Sequence, residues 1–337
     1  MKKILYLSAC LWAANTFAAP ATDVQSAVQG SGYETRAEVQ TFITDMGARH
    51  GFDTTALTEL FAQAQLQESV LRAITPAPAG KRSWQSYRSN FVSPTRVTRG
   101  AEFWHAHRPI LERAEATFGV PAEIIVAIIG VETQYGRTMG SYRVLDALTT
   151  LAFDYPRRAD YFRSELEELL LYARESDRSP LLFVGSFAGA IGIPQFMPGS
   201  IRRFAVDFDR DGQRDLRDSS ADAIGSVASF LQQHGWVPGE PIAAPATVEG
   251  ESFRELTDGG VQPNHLAATL RAAGVRFDER IAPKTSTVLI ELDSTDAASE
   301  YLVGLQNFYV ITRYNRSSFY ATAVWALAQE IKAAAAL

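Results

Sequence analysis

The sequence predicts a mainly α fold that carries a small α+β insertion. Three observations lead there. Helical periodicity recurs from about Thr35 to about His234 and again from Phe319 to Ala335. Between them, residues 237–299 change character, with frequent proline and glycine. Inside that stretch, Ser286-Thr287-Val288-Leu289-Ile290-Glu291-Leu292 has the β-branched composition of a strand.

The elements follow in order. Residues 1–18 have the form of an export signal: Lys2 and Lys3, an apolar run from Ile4 to Ala14, then small residues around Ala18. Cleavage there would leave a soluble exported chain. Leu7-Ser8-Ala9-Cys10 supports the alternative of a lipoprotein anchored through Cys10, although its apolar core, Ile4 to Ala9, is short. Cys10 is the only cysteine, so cleavage at Ala18 would leave no disulfide and no cysteine-based zinc site. Residues 19–34 are expected to be a linker. A helical domain then covers 35–118, with Val39, Phe42, Ile43 and Met46 on one apolar face and Leu57, Leu60, Phe61 and Leu66 on another. The stretch Thr75 to Arg82 interrupts it. Further helices are expected at about Arg99–Phe118, Pro121–Tyr135, Arg158–Arg174 and 218–234, the last stopped by Gly235. The second of these places Pro121 at the first helical position.

Composition narrows the function. The chain has 337 residues, 46% hydrophobic and 21% charged, with a formal net charge of -6. This is an ordinary globular balance, and the acidic sign argues against a nucleic-acid partner. No apolar stretch after residue 30 approaches a membrane span.

Two local signals carry chemistry. The helix at 121–135 has no polar face, from Ile124 through Val131, and so should be buried. Glu132 lies at its C-terminal end. Burial disfavours a carboxylate, and so does the negative end of the helix dipole. A carboxylic acid that keeps its proton near neutral pH suits protonation of a glycosidic leaving group. The second signal is the loop from Asp207 to Asp218. It sets Asp207, Asp209, Asp211 and Asp215 at positions one, three, five and nine of a calcium loop, Gly212 at six and the Gln213 carbonyl at seven. Position twelve is Asp218, whose arm is shorter than the usual glutamate. Asp222 could close a longer loop instead. One such loop without a Met-rich helix face suits a structural Ca²⁺ rather than a sensor. His105 and His107 point to different helix faces and suggest no metal site.

Several motifs together resemble the lytic murein transglycosylase B family. They are Val131-Glu132-Thr133-Gln134-Tyr135-Gly136-Arg137, Tyr155-Pro156-Arg157-Arg158-Ala159, Gly185-Ser186-Phe187-Ala188-Gly189-Ala190, Pro194-Gln195-Phe196-Met197-Pro198, and Asn307-Phe308-Tyr309 through Tyr314-Asn315. The resemblance spans residues 35–333 in the family's order and spacing. It implies a lysozyme-like catalytic core at 119–236 and 300–337, a helical domain that borrows part of the helix at 319–335, and the small α+β insertion at 237–299. It implies an EF-hand-like loop at 207–222 closed by Asp222.

The implied reaction cleaves the β-1,4 bond from N-acetylmuramic acid to N-acetylglucosamine, with the C6 hydroxyl attacking C1 to give a 1,6-anhydro product. One carboxyl, Glu132, then suffices as acid and base, and no cofactor is needed for catalysis. Asp146, Asp154 and Asp160 are read as surface or helix-cap acids. By the same resemblance, Ser186 and Gln195 line the sugar cleft, and Tyr314, Asn315 and Tyr320 form a wall whose tyrosine faces suit a pyranose. Arg157, Arg158 and Tyr161 face the glycan or its peptide. Phe230 occupies a cleft position, although it also fits the core of its amphipathic helix. The implied partner is the peptidoglycan glycan strand, bound by a periplasmic, monomeric enzyme that could join cell-wall enzyme complexes. A hydrolytic muramidase on the same fold, or a non-catalytic peptidoglycan-binding protein, are the alternatives.

Overall fold

A computed structural model of the protein describes residues 31–75, 83–257, 260–294 and 298–336. The signal segment, Cys10 and most of the two linker stretches lie outside the described residues. The first helices are α1 (Ala37–His50), α2 (Thr54–Ala62), α3 (Glu68–Ile74), α4 (Trp84–Phe91) and α5 (Pro94–Phe118). Next come α6 (Ala122–Thr133), the two-residue β1 (Tyr142–Arg143), α7 (Val144–Phe153), α8 (Ala159–Glu175), β2 (Val184–Gly185), α9 (Pro198–Phe204) and α10 (Ser220–Gln233). The sheet region holds β3 (Ala243–Val248), β4 (His265–Leu266), α11 (Ala267–Ala272), β5 (Val275–Arg276), β6 (Ser286–Leu292) and β7 (Glu300–Gly304). Helices α12 (Gln306–Tyr314) and α13 (Ser318–Ala335) complete the chain. No single helix among the described residues is long and apolar enough to cross a membrane.

The helical part has one core. Val39, Phe42, Met46 and Phe61 from α1 and α2 belong to the same buried cluster as the α6, α7 and α13 side chains. Leu57 and Phe61 are buried as expected, but Leu66 is 44% exposed, because α2 ends at Ala62. Helix α5 begins five residues before Arg99. Pro94 takes its first turn and Ser93 caps it, accepting from the Arg96 N–H at 3.4 Å. It kinks at His107 (φ -118°), two residues before Pro109, which can donate no backbone hydrogen bond.

The five-stranded sheet is antiparallel throughout, in the order β4-β6-β7-β3-β5. Strand β6 matches its expected span and joins two cores by its period of two. Val288, Ile290 and Leu292 enter the main cluster, while Leu289 enters a smaller one with Val303, Phe253 and Val275. The sheet extends past residue 299 through β7. The chain then returns to the helical core at Asn307. Its buried amide accepts from Val237 N–H at 2.8 Å and donates to the Val237 and Glu240 carbonyls at 2.8 and 3.0 Å. Asn307 therefore ties the two crossings between core and sheet together.

Helix α6 is shorter than the expected span of 121–135. Pro121 caps it from outside, and it stops at Thr133. Gln134, Tyr135 and Gly136 then take φ values of 51°, 64° and 81°. Two non-glycine residues in the left-handed region are strained. The Tyr135 ring offsets the strain. It folds back between α5 and α6, and its hydroxyl donates to the Arg96 carbonyl at 2.8 Å. The slot exists because Gly130 has no side chain: a Cβ there would lie 2.5 Å from the Tyr135 oxygen. Gly130→Ala should therefore destabilise the fold by about 1–3 kcal/mol. Equilibrium urea unfolding checks this, and an unchanged midpoint would mean the slot can widen freely.

Candidate active site

Glu132 occupies the last turn of α6 and is 2% exposed. Tyr320, in the first turn of α13, donates its hydroxyl to Glu132 Oε1 at 2.7 Å. That phenol is 1% exposed and Tyr314 is 4% exposed. The two tyrosines are placed differently: Tyr320 faces the acid, whereas Tyr314, although nearly buried, lines a pocket. Tyr320 holds the acid. Tyr314 donates to the Pro194 carbonyl at 2.5 Å and stacks on Tyr320, with centroids 6.4 Å apart. Asn315 follows at the end of α12, half-buried, with its carbonyl accepting from Ser317 N–H at 2.7 Å.

The segment from Gly185 to Gln195 packs against the turn after α6. Thr133 Oγ1 donates to the Ile193 carbonyl at 2.8 Å and accepts from Gly136 N–H at 3.0 Å. Gly140 lies so close to this segment that a Cβ would sit 2.1 Å from the Gly185 oxygen, and its φ is +84°. Ser186 closes a tight turn, its Oγ accepting from Ala190 N–H at 3.0 Å. Gln195, at φ 51° and buried, donates its side-chain amide to the Gly192 carbonyl at 2.9 Å and the Met139 carbonyl at 3.3 Å. Both residues are held by local backbone contacts, so their polar atoms are pre-oriented.

A pocket opens beside this group. Its walls include Tyr161, Gln195, Phe196, Phe230 and Tyr314. Phe230 belongs to the core and to the pocket wall at once. It is buried, packs on Tyr314 at 4.8 Å and Phe196 at 5.6 Å, and still lines the pocket. Arg158 lies over the Tyr161 ring at 4.3 Å. Arg157 is exposed on the short turn Pro156–Arg158 and does not line the pocket.

The three neighbouring acids have structural partners. Asp146 pairs with Arg143 and accepts from Gln65 N–H at 3.0 Å. Asp154 accepts from Tyr33 at 2.5 Å and Arg36 at 2.8 Å. Asp160 is exposed beside Arg163. The carboxyl that sequence reasoning missed is Glu165, 4% exposed and on the pocket wall. It lies on the buried face of α8, among Phe162, Leu166 and Leu169. An acid within that apolar stripe was the readable signal. Burial pushes its carboxyl up to about 7, against the opposing pull of Gly199 N–H and the Arg203 guanidinium.

The acidic loop gathers three of its predicted ligands. Asp207, Asp209 and Asp211 bring carboxylate oxygens within 4.8 Å of one another. Asp207 also organises the turn, accepting from Arg210, Asp211 and Gly212 N–H at 2.7, 3.1 and 2.9 Å. Gln213 donates its N–H to Asp211 at 2.8 Å. Asp222, expected to close the ligand set, reaches the loop from below. It is 1% exposed and lies outside the triad. One oxygen accepts from Phe208 and Asp209 N–H at 2.7 and 3.4 Å, the other from Asp215 N–H at 2.8 Å. It sits in α10, whose helical path carries it beneath the loop as a staple. Asp215 accepts from Arg217 and Asp218 N–H at 2.8 and 3.0 Å, and Asp218 is exposed.

The fold is that of peptidoglycan-cleaving enzymes. The family model of the transglycosylase SLT domain matches residues 34–329. The chain is 42% identical to the membrane-bound lytic murein transglycosylase B of Escherichia coli (strain K12), over 90% of this chain and 84% of that protein. It is similar to the crystal structure of soluble lytic transglycosylase SltB1 from Pseudomonas aeruginosa, with TM-score 0.85 and 48% identity, covering 89% of this chain and 100% of that one. The Escherichia coli lytic transglycosylase Slt35 in complex with calcium matches at TM-score 0.82 and 43% identity, over 92% of this chain and 97% of that one. The chain belongs to the SLT transglycosylase family and is a peptidoglycan lytic transglycosylase with a lysozyme-like fold.

The buried Glu165 predicts a pH signature. Its unfolded carboxyl ionises near 4.5 and the folded one near 7. Between those values the unfolded chain releases a proton that the folded protein keeps. The contribution of Glu165 to stability is therefore greatest below about pH 4.5 and falls as the pH rises to about 7, by up to about 3 kcal/mol. Guanidinium unfolding of wild type and Glu165→Gln from pH 4.5 to 8 should show the variant gaining stability relative to wild type by that amount. A difference independent of pH would show that Glu165 does not titrate in this window.

Proposed function

We propose that Glu132 is the single general acid and base of the reaction. The observation that carries this is a buried carboxyl at a helix C-terminus, held by the Tyr320 phenol, whose ring stacks on Tyr314 of an aromatic-rich pocket wall. Glu132 gives its proton to O4 of N-acetylglucosamine as the bond from C1 of N-acetylmuramic acid breaks. Its carboxylate then takes the proton of the C6 hydroxyl as that oxygen bonds to C1. The carboxyl ends protonated, ready for another cycle, and the product contains a 1,6-anhydro ring. No second carboxylate is required, whereas ordinary glycoside hydrolysis uses a pair.

The other residues bind and orient. Tyr320 fixes the Glu132 carboxyl, and Tyr314 braces Tyr320. Ser186, Gln195 and Asn315 offer polar groups to the acetamido and hydroxyl substituents of the sugar. Phe230 and Tyr161 supply apolar wall. Arg158, and Arg157 from its exposed turn, suit the carboxylates of the lactyl-linked peptide.

The acidic loop fits a hard cation. Three carboxylates crowded within 4.8 Å repel each other, and oxygen donors alternating along a tight loop match Ca²⁺. Bound Ca²⁺ would neutralise that charge and staple the loop to α10, far from any role in bond cleavage. Asp207, Asp209 and Asp211 would hold it, with the Gln213 carbonyl. Slt35, a relative solved with calcium, supports this reading. The N-terminal segment supports export to the cell wall, by cleavage near Ala18 or by lipidation of Cys10. The name of the Escherichia coli relative, which places that protein at a membrane, is compatible with the second route.

Two measurements test these assignments. Digestion of murein sacculi should release products one water lighter than hydrolytic muropeptides, read by mass spectrometry. Glu132→Gln should lower their yield roughly 10²–10⁴-fold, and Tyr320→Phe roughly tenfold. Reducing-end products of normal mass would make the enzyme a muramidase. Separately, saturating Ca²⁺ should raise the Tm of chelator-treated protein, with about 2.7 kcal/mol gained at a hundredfold excess over Kd. Asp207→Asn should abolish that shift, and an unchanged wild-type Tm would remove the metal assignment.

A further inference from the structure

The pocket beside Gln195 and Tyr314 holds a buried carboxyl for which the bond-cleaving steps have no use. Glu165 Oε2 accepts from Gly199 N–H at 2.9 Å, and the Tyr161 hydroxyl is also a side-chain partner of the carboxyl. Satisfying one amide does not require an ionisable group in so dry a place, where a carboxyl is costly. Yet Glu165 lines the pocket together with Phe196, Met197, Phe204 and Phe230, and with Arg203 and Arg313 among the remaining walls.

These walls present three kinds of surface: aromatic and thioether groups, oxygen acceptors among which Glu165 is the one carboxyl, and guanidinium donors. An acetamido group has three matching parts. Its methyl fits the apolar wall, its N–H needs an acceptor, and its carbonyl needs a donor. A bare hydroxyl would leave the apolar wall unused, and a carboxylate ligand would meet Glu165 unfavourably whenever that group is ionised. His234 donates its Nδ1–H to the Phe230 carbonyl at 2.7 Å, and its ring packs on Phe230 at 4.0 Å, so only Nε2 is left to accept; a carboxylate acceptor makes the stronger, charge-assisted hydrogen bond.

We propose that Glu165 is a substrate-binding residue that accepts the amide N–H of a sugar N-acetyl group seated in this aromatic pocket. The inference rests on the glycan-cleaving reading of the site and adds to it a specificity determinant. Gly199 N–H supplies the test. In Glu165→Gln the side-chain oxygen stays with that N–H, and the amide NH₂ turns to the pocket. An acceptor then becomes a donor without loss of volume.

The experiment is calorimetric binding to Glu132→Gln protein, which does not turn substrate over. The probes are tetra-N-acetylchitotetraose and cellotetraose, both neutral, the second with hydroxyls in place of acetamido groups. The Glu132→Gln protein should prefer the acetylated probe. Adding Glu165→Gln should cut that preference about tenfold. On active enzyme, Glu165→Gln should raise KM while kcat changes by less than about twofold. Phe204→Trp narrows the same pocket without touching the carboxyl. It should weaken the acetylated probe selectively, and it serves as the second variant should Glu165→Gln fold poorly. An unchanged preference in either folded variant overturns the proposal and leaves the catalytic assignment intact. Failure of the Glu132→Gln protein to bind either probe would overturn both.

Discussion

The hydrogen bond from Tyr320 to Glu132 joins residues 188 positions apart and constrains much of the fold. A carboxyl shut away from water needs a partner that is itself protected and fixed. The partner comes from the last helix, so the chain must leave the core, build the sheet and come back in register. Asn307 ties the outgoing and returning crossings, and Ser317 caps α13 one turn before Tyr320, accepting from its N–H at 3.3 Å. Lys332 pairs with Glu123 at 2.7 Å, clamping the far ends of the same two helices. Helix α13 thus acts as a bolt across α6.

The same logic explains why α6 ends where it does. An apolar helix has no intrinsic reason to stop at Thr133, since Gln134 and Tyr135 could continue it. It stops because Tyr135 finds a better place, in a slot between α5 and α6 that Gly130 leaves open. The reversed backbone then delivers Thr133 to the Ile193 carbonyl. One tight contact therefore sets the height of Glu132 in the helix and the position of the segment that carries Gln195.

The sheet contributes more than a connection. Because β6 alternates its side chains between two cores, the insertion cannot rotate away without exposing Val288, Ile290 and Leu292. The sheet-side approach to α13 is fixed by the same packing that stabilises the fold. Asp222 under the acidic loop couples it to α10, which packs on α5 and α6 and carries Phe230 to the pocket.

The sequence by itself determined the helices with strong periodicity, the strand at 286–292, the burial of Glu132 at the end of an apolar helix and the acid triad of the loop. These are local: each follows from period, composition or spacing within about a dozen residues. The family resemblance added the list of cleft residues but not their postures. Tertiary structure decided those, because posture depends on what lies across the core. It made Tyr320 the partner of the acid and set Asp222 beneath the loop as a staple. It cut α6 short through a glycine slot shared by two helices. It also placed Glu165 in a pocket, since a burial stripe on α8 marks which residues face inward and says nothing of what they meet there.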